Sequence, residues 1–438
     1  MKKHFFQLVV LSVLFVSLLV SFFGVAHAED SPVSIQELLV KASSGPEVKA
    51  AQSSADEMKN KETAIWRQIY VPKLSAGLSY THLLTDESLQ LPPLGAMAIP
   101  PIKLGPNFVS GSLTLSQVLF DPANMLYNAP ATEHLAEAAE LRSLRQVKET
   151  QGKAVELYLR TLELRAKRKA LEKYTANLSS RLREIRRIYE LGGLSEGDLL
   201  KIKLGVDDAN QGIRDLQKGE NYLADMIAAI VGDDKPVVPA DLAEELPTSA
   251  ACSDKADVSN REDIRAIDQE VEATKLSKSG QKAEYLPKVY GFIQHGYTNT
   301  ELVSKSNYDL VGVQLSWSLF DGGVALANLK ASADQRFALE QKKNLALSSF
   351  RAALSDAAAA LQIKRREYEE RRQSVSDARM VSELEFKRLK NGKTTINNLI
   401  DAEDMLKDRT EKANLSKVSW YQAWFNCQHA SGNTLIAP

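Results

Sequence analysis

The chain has 438 residues, and its 55 lysines and arginines nearly balance 56 aspartates and glutamates, so its formal net charge is -1. This balance excludes the basic surface by which a protein binds the phosphates of nucleic acid. The two cysteines are too few for a disulfide-rich scaffold.

The amino terminus has the pattern of a secretory signal peptide. Two lysines precede an apolar run over 5–23, and Ala26-His27-Ala28 supplies a small-x-small cleavage site before the first acids. We predict a signal peptide at 1–28, and the alternative is an uncleaved membrane anchor. Because the sequence contains no second apolar stretch of that length, a mature protein held in a membrane must cross it with β-strands.

A first repeat is predicted over 29–231, and it begins with a helix over 47–68. From about 73 to 119, apolar side chains alternate with small polar ones, which predicts a β-hairpin with one apolar face. A helical hairpin is predicted over about 121–231, with its turn at Gly192. Its coiled-coil seam is carried by Leu171, Tyr174, Leu178, Leu182, Ile185 and Ile188.

A second repeat follows. Residues 115–122 (Leu-Ser-Gln-Val-Leu-Phe-Asp-Pro) resemble residues 315–322 (Leu-Ser-Trp-Ser-Leu-Phe-Asp-Gly), and the residues around Gly192 and Gly392 match at the same offset of 200 positions. Two separate matches at one offset indicate a duplication. The predicted parts are a proline-containing linker over 232–259, a second repeat over 260–438 with a helix over 261–284, a β-hairpin over about 288–319, a helical hairpin over about 321–428, and a C-terminal tail.

Four strands per chain predict an oligomer. Four strands cannot close a barrel, and their open edges cannot lie in lipid, so subunits must pool them. A dimer would supply eight strands and a trimer twelve, and the trimer fits better because small polar residues on the second face suit a wet interior. From Phe120 to Gly192 there are 72 positions, as from Phe320 to Gly392, and a continuous helix of that length would span about 108 Å.

These motifs, in this order, resemble the TolC-type outer-membrane efflux protein family over nearly the whole mature chain. Residues 43–48 (Ser-Ser-Gly-Pro-Glu-Val) and 260–264 (Asn-Arg-Glu-Asp-Ile) are similar to the two helix starts of that family. Tyr189, with the glycine, serine and aspartate that follow it at intervals of three, is similar to the family repeat. Gly45 and Glu262 depart from the family pattern, which usually has asparagine and proline there.

The resemblance implies a mixed α+β membrane protein. Its duplicated β-hairpins would form a trimeric 12-stranded β-barrel in the cell outer membrane, continuous with an α-helical coiled-coil barrel in the periplasm. It implies a passive exit duct of a tripartite efflux or type I secretion system, for a Gram-negative-type envelope. The implied partners are outer-membrane lipid, two further copies of the chain, a periplasmic adaptor (membrane fusion) protein, and an inner-membrane RND or ABC transporter.

The resemblance also implies where the duct is narrowed. Two acids line the periplasmic constriction of the family, and the matching positions are Asn398 and Asp401, so one ring of the trimer would be amidic. The alternative for Asp401 is a surface ion pair with Lys407 or Arg388. The hairpin turns, where an adaptor would dock, carry Gly192, Ser195, Asp198, Gly392 and Thr395.

Cys252 lies in the predicted linker and Cys427 near the end of the last predicted helix. Each follows the returning helix of its repeat, so the duplication brings them near the same level of the tunnel. We therefore expect a disulfide between them, and two buried, unpaired thiols are the alternative.

The sequence carries no pattern of catalysis. Its histidines after the signal peptide have no ligand spacing, and it has no phosphate-binding loop, dinucleotide fingerprint or nucleophile motif. We expect no enzyme activity, no cofactor and no metal site. A periplasmic coiled-coil scaffold or adhesin without a channel is the competing class, and the apolar face of the strands argues against it.

Overall fold

The structure of the chain, a computed structural model, describes residues 32–82, 88–89, 102–103, 107–243, 256–299, 306–432 and 435. The predicted signal peptide therefore lies outside the described residues. The helices are α1 (Ile35–Ala42), α2 (Pro46–Tyr70), α3 (Ala129–Glu190), α4 (Glu196–Val231), α5 (Glu262–Ala283), α6 (Val324–Lys390) and α7 (Ile396–Ser431). A π-helical turn, Asn124–Asn128, precedes α3, and a 3-10 turn, Val258–Asn260, precedes α5.

The strands are β1 (Lys73–His82), β2 (Ser88–Leu89), β3 (Ile102–Lys103), β4 (Asn107–Phe120), β5 (Lys288–Asn299) and β6 (Ser306–Ser316). Strands β2 and β3 pair only with each other. The other four form one antiparallel sheet in the order β1-β4-β5-β6, so the two β-hairpins lie side by side. Within the described residues, the outer edges of β1 and β6 have no partner strand.

The register of this sheet collects apolar residues on one face. One row across the four strands consists of Leu74, Leu115, Ile293 and Val311. Successive side chains of a strand point to opposite faces. The serines and threonines of β1 and β4 therefore share the other face, where the hydroxyls of Ser79 and Ser110 are 2.7 Å apart.

In the second β-hairpin (β5 and β6), aromatic side chains also lie on the face that carries serines and threonines in β1 and β4. The ring of Phe292 covers Gly312, and a methyl group added to this glycine would lie 2.8 Å from the ring. The ring of Tyr308 covers Gly296 in the same way. An aromatic ring over a strand glycine restores packing that the glycine lacks. The polar lining that the sequence predicts therefore holds for β1 and β4 and only partly for β5 and β6.

Strand β6 ends at Ser316, about three residues before the end that period-2 alternation predicts. The indole of Trp317 donates a hydrogen bond to the carbonyl of Tyr285 at 2.9 Å, which turns this residue out of the strand. Gly322 and Gly323 then have positive φ angles of 70° and 85°, and α6 begins directly after them. Trp317 is thus held by the turn that precedes β5.

Two long helices carry the chain away from the sheet. Helix α3 has 62 residues and α6 has 67, which correspond to lengths of about 93 and about 100 Å at 1.5 Å per residue. Helices α4 and α7 run back beside them, and each has 36 residues. No helix within the described residues is long and apolar enough to cross a lipid bilayer.

The returning helix of the first repeat, α4, meets the start of α2 end to end. Gly232 lies against the ring of Pro46, and Gly45 lies against the carbonyl of Ile230. A side chain at either glycine would crowd the opposite helix end. We call this contact the first joint.

The returning helix of the second repeat, α7, meets the start of α5 in the same way. The guanidinium of Arg261 donates to the carbonyls of His429 and Ala430 at 3.1 and 2.8 Å. The carbonyl of His429 also accepts from the backbone N–H of Gly432 at 3.2 Å, so Arg261 and Gly432 cap the end of α7 together. We call this contact the second joint.

The two largest hydrophobic cores among the described residues hold the helices together. The belt core surrounds the end of α7, where α1 and the segment after α4 wrap the hairpins; its largest members are Leu38, Tyr158, Leu162, Ile227, Leu361, Trp420, Tyr421, Trp424 and Phe425. Val33 pairs in parallel with Pro239 at its margin. The tip core lies near the hairpin turns and consists of Tyr174, Leu178, Ile185, Ile202, Ala209, Leu389, Ile396 and Leu399.

Candidate functional site

The two hairpin turns have the same backbone geometry. Gly192 and Gly392 have φ angles of 79° and 63°, which glycine adopts without the steric cost that a side chain brings. In each turn the glycine N–H donates to a carbonyl three residues back, and the next N–H donates five residues back, to Ile188 or Arg388. This pair of backbone hydrogen bonds ends a helix in the Schellman motif. It lets each long helix reverse within a few residues.

The first turn ends in a reciprocal cap. The backbone N–H of Asp198 donates to the hydroxyl of Ser195 at 3.2 Å, and the carboxylate of Asp198 accepts from the backbone N–H of Ser195 at 3.1 Å. Because Ser195 donates to it from its hydroxyl and its backbone, the pKa of Asp198 lies below its ordinary value. The carboxylate is therefore occupied in holding the start of α4.

The second turn differs because the amide of Asn398 stands where the first turn has the carboxylate of Asp198. The backbone N–H of Asn398 donates to the hydroxyl of Thr395 at 3.4 Å, but the amide nitrogen of Asn398 donates to Thr394 at 2.9 Å instead of closing a box. Thr394 in turn donates to Glu385 at 2.9 Å, which also accepts from Arg388 at 2.8 Å. The bonds from Arg388, and then from Thr394, hold the pKa of Glu385 below its ordinary value.

Asp401 lies about one helical turn after the amide, on α7. Its side chain is exposed, and in the described part of the chain it makes no ion pair. The two cations that could have paired with it are engaged elsewhere, since Lys407 pairs with Asp404 at 2.9 Å and Arg388 pairs with Glu385 at 2.8 Å. The surface ion pair that the sequence left as the alternative for Asp401 is therefore not formed.

The two proposed constriction residues share one open surface. Asn398 and Asp401 are three positions apart, so they lie on the same face of α7. Both line an open groove of about 590 Å³ between α6 and α7. Their polar groups are thus presented together to solvent near the hairpin turns.

A buried ion pair joins the two hairpins just above the tip core. Glu403 of α7 is 1% exposed and pairs with Arg181 of α3. Its carboxylate also accepts from the hydroxyl of Ser382 at 2.5 Å and from the amide of Asn177 at 3.3 Å. The guanidinium of Arg181 lies 4.6 Å from the centre of the Phe386 ring. The two charges are thus compensated by groups from three helices.

Sequence reasoning missed this pair, although a signal was present. Leu399, Ala402 and Leu406 form an apolar stripe of α7, and Glu403 falls on that stripe. A carboxylate on an apolar stripe requires a buried partner, because an unpaired buried charge is too costly. The partner could not be identified from the sequence, since it lies in the other repeat.

Weaker contacts also cross between the tips of the hairpins. Lys390 of α6 pairs with Glu184 of α3 at 3.1 Å, and Lys201 of α4 donates to Asn397 of α7 at 3.1 Å. All four residues are exposed or partly exposed, so each contact contributes less than about 1 kcal/mol. The two turns thus lie together at one end of the molecule, and with them the predicted docking residues Gly192, Ser195, Asp198, Gly392 and Thr395.

Cys427 is fully buried, beside Val258 and Leu354, and it is disulfide-bonded. Cys252 lies outside the described residues. The pairing of these two cysteines therefore stays a prediction.

The histidines have separate surroundings. His295 pairs with Asp309 at 2.7 Å, and His134 bonds to the side chain of Gln269 at 2.6 Å. Within the described ranges, no group of three or more histidines, cysteines and acids is arranged to hold a metal ion.

Comparison with known proteins gives a family match and a fold. Residues 257–433 match the family model described as outer membrane efflux protein. A search of curated protein sequences finds no significant match. Among solved structures, the chain is similar to the outer membrane protein VceC of Vibrio cholerae, with a TM-score of 0.71, 16% sequence identity, and coverage of 91% of this chain and 96% of that one.

Two further channels share the fold. The outer-membrane channel OprN aligns with a TM-score of 0.73 and 17% identity over 91% of this chain and 90% of its own. The CmeC outer membrane channel of Campylobacter jejuni aligns with a TM-score of 0.73 and 12% identity over 91% of this chain and 85% of its own. The predicted architecture of duplicated β-hairpins and long helical hairpins is thereby confirmed.

Proposed function

We propose, from the match of residues 257–433 to the outer membrane efflux protein family, that the chain is a passive exit duct in the cell outer membrane that extends into the periplasm. Three copies would pool their strands into one barrel and their helical hairpins into one tunnel. The duct would serve a tripartite efflux or type I secretion system. A periplasmic adaptor and an inner-membrane RND or ABC transporter would supply recognition and energy, since the sequence shows no pattern of catalysis.

The observation that carries this proposal is the apolar face of the four-stranded sheet. Leu78 and Val311 on this face are each 83% exposed, although they are large apolar residues in regular strands. Together with their neighbours in the register they form a patch that a water-soluble surface would not leave uncovered. Lipid covers such a face, and the unpaired edges of β1 and β6 then require strands from other copies.

The length of the helices supports the proposal that the duct extends into the periplasm. A structure of about 100 Å below the sheet reaches far into the periplasm, with the hairpin turns at its far end. Leu191, in the first turn, is 80% exposed, and Leu200 and Leu204 on α4 are 50% and 61% exposed. Exposed leucines beside the glycine turns offer an apolar contact for an adaptor. They support docking at Gly192, Ser195, Asp198, Gly392 and Thr395.

The periplasmic constriction is proposed at Asn398 and Asp401. Three copies of Asp401, none of them neutralised within the described part of its own chain, would form an anionic ring and attract cations. Three copies of Asn398, one turn away, would form an amidic ring. The open groove that both residues line supports their accessibility to solutes.

The proposal is tested by mass and conductance measured on one preparation. Detergent-extracted protein should show three times the monomer mass by native mass spectrometry, and the same sample should produce stepwise conductance in planar bilayers. A stable monomer that fractionates with soluble periplasmic proteins and conducts no ions would refute the duct. That result would favour the coiled-coil scaffold or adhesin.

A further inference from the structure

A groove below the belt core has no role in the proposed duct. It lies between α3 and α6, with α7 as its floor, and encloses about 550 Å³. Each of the three helices contributes one cation, Lys173 from α3, Arg372 from α6 and Lys417 from α7. Tyr368 and Val375 of α6 add an apolar wall. We call it the cationic groove.

Two of the three cations of the cationic groove, Lys173 and Arg372, are not balanced by its described walls. Its described lining contains no acid, and Lys173 and Arg372 are exposed and make no ion pair with any described residue. The acids Glu367 and Glu369, in the same stretch of α6, pair with other cations of that helix. Two unpaired cations beside one concave surface concentrate positive potential there.

The position of the groove makes it accessible from outside the tunnel. Its floor residues on α7, among them Asn414 and Lys417, lie on the helix face that continues into Trp420 and Trp424 of the belt core. The ammonium of Lys417 also donates to the carbonyl of Leu242, in the segment that wraps the hairpins, at 3.4 Å. The groove therefore opens on the face that carries the belt. This face is the outer one if the duct is as proposed, because a belt inside would fill the conduit.

We propose that the cationic groove binds an acidic peptide segment of a periplasmic partner protein. Lys173 and Arg372 lie on separate helices, so together they call for a ligand with more than one carboxylate. A volume of about 550 Å³ is in the range of pockets that hold ligands much larger than a single oxyanion. The ring of Tyr368 and the side chain of Val375 can cover the apolar part of such a peptide, while the amide of Asn414 can bond its backbone.

Binding is measured with the full-length protein in detergent and two fluorescent probes. The first is a short peptide with glutamate at alternate positions, and the second has glutamine at the same positions. Fluorescence anisotropy at low salt should show binding of the first probe only, and added salt should weaken it. The Lys173→Gln/Arg372→Gln variant should bind it about tenfold more weakly, as expected when two charge contacts are lost.

The matched control is Lys203→Gln/Arg366→Gln, which removes two exposed cations from α4 and α6 that do not line the groove. Its affinity should equal that of the wild type. Equal affinities in the two double variants, or equal binding of both probes, would overturn the proposal. Displacement of the peptide by an equal concentration of inorganic phosphate would overturn the peptide assignment. Conductance of the same samples reports on the duct separately, because peptide binding does not require ion flow.

Discussion

At the belt, the large aromatic side chains of α7 lie in one core with residues of α1, α3 and α4, whereas near the tip α7 meets α3 through smaller side chains and one buried ion pair. Trp420 and Tyr421 are both 0% exposed, and the burial of such large rings stabilises mainly through the apolar area removed from water, which is a non-directional effect. The pair of Arg181 and Glu403 depends instead on the alignment of its partners. Both regions therefore depend on buried apolar surface, and the tip depends in addition on the alignment of one buried ion pair.

The largest expected effect comes from Trp420→Ala. Removing this fully buried ring should lower the free energy of unfolding by about 3–5 kcal/mol, because a cavity remains in the belt core. Thermal unfolding in detergent, followed by circular dichroism, measures the loss. Tyr222→Ala is the control, since Tyr222 is 64% exposed. Equal losses in both variants would mean that the belt core does not hold the hairpins.

A smaller loss, about 3 kcal/mol, is expected from Arg181→Met, because Glu403 is then left buried without its cation. The double variant Arg181→Met/Glu403→Leu should recover most of it, since two apolar side chains replace the two charges. Comparing both single variants with the double variant isolates the coupling. If the loss of stability in the double variant equals the sum of the losses in the two single variants, Arg181 and Glu403 do not stabilise the tip as a pair. The proposed difference between tip and belt would then be wrong.

A third effect depends on pH and arises at the second joint, above the belt core. Burial, and then Arg145 and Arg261, lower the pKa of His429 from 6.5 to about 4, against weaker opposite effects of Glu149 and Asp263. The ring is half-buried, and its Nε2 lies 3.1 Å from the guanidinium of Arg145.

The direction of the stability change follows from which state, folded or unfolded, binds a proton first as the pH decreases. Between pH 6.5 and about 4 the unfolded chain takes up the proton while the folded chain does not, so stability falls as the pH decreases through this range. The loss should be about 1–2 kcal/mol after allowance for the exposed part of the ring. His429→Gln should flatten the pH dependence of the melting temperature over this range. Parallel curves for the variant and the wild type would contradict the assignment.

The smallest effect on stability is expected at Asp401, because its side chain is exposed and unpaired within the described residues. Asp401→Asn should leave the melting temperature unchanged and weaken block by divalent cations added on the periplasmic side. Asn398→Asp should strengthen that block, since it adds a second anionic ring. Asp408→Asn, which removes an acid paired with Lys412, is the control. Identical block curves for all four proteins would refute the constriction.

The sequence predicted local features well because their causes are local. Alternation marked the strands, and Gly192 and Gly392 marked turns that need a positive φ angle. The duplication fixed the common length of the hairpins. It did not reveal the partner of Glu403, because that contact depends on how the two repeats pack. The end of β6 was also missed, since the bond from Trp317 to Tyr285 is set by folding and not by alternation.

The two joints affect how a force applied at the hairpin turns is transmitted along the helices. Only α3 and α6 run without a break from the turns to the sheet, whereas α4 and α7 end at the joints. At the first joint the helices touch through Gly232 and the ring of Pro46, and at the second through the bonds of Arg261. Two of the four long helices are thus continuous between the turns and the sheet, and the other two end at a contact with another helix. A force applied to α4 or α7 therefore crosses a contact between two helix ends before it reaches the sheet, whereas a force applied to α3 or α6 follows one continuous helix.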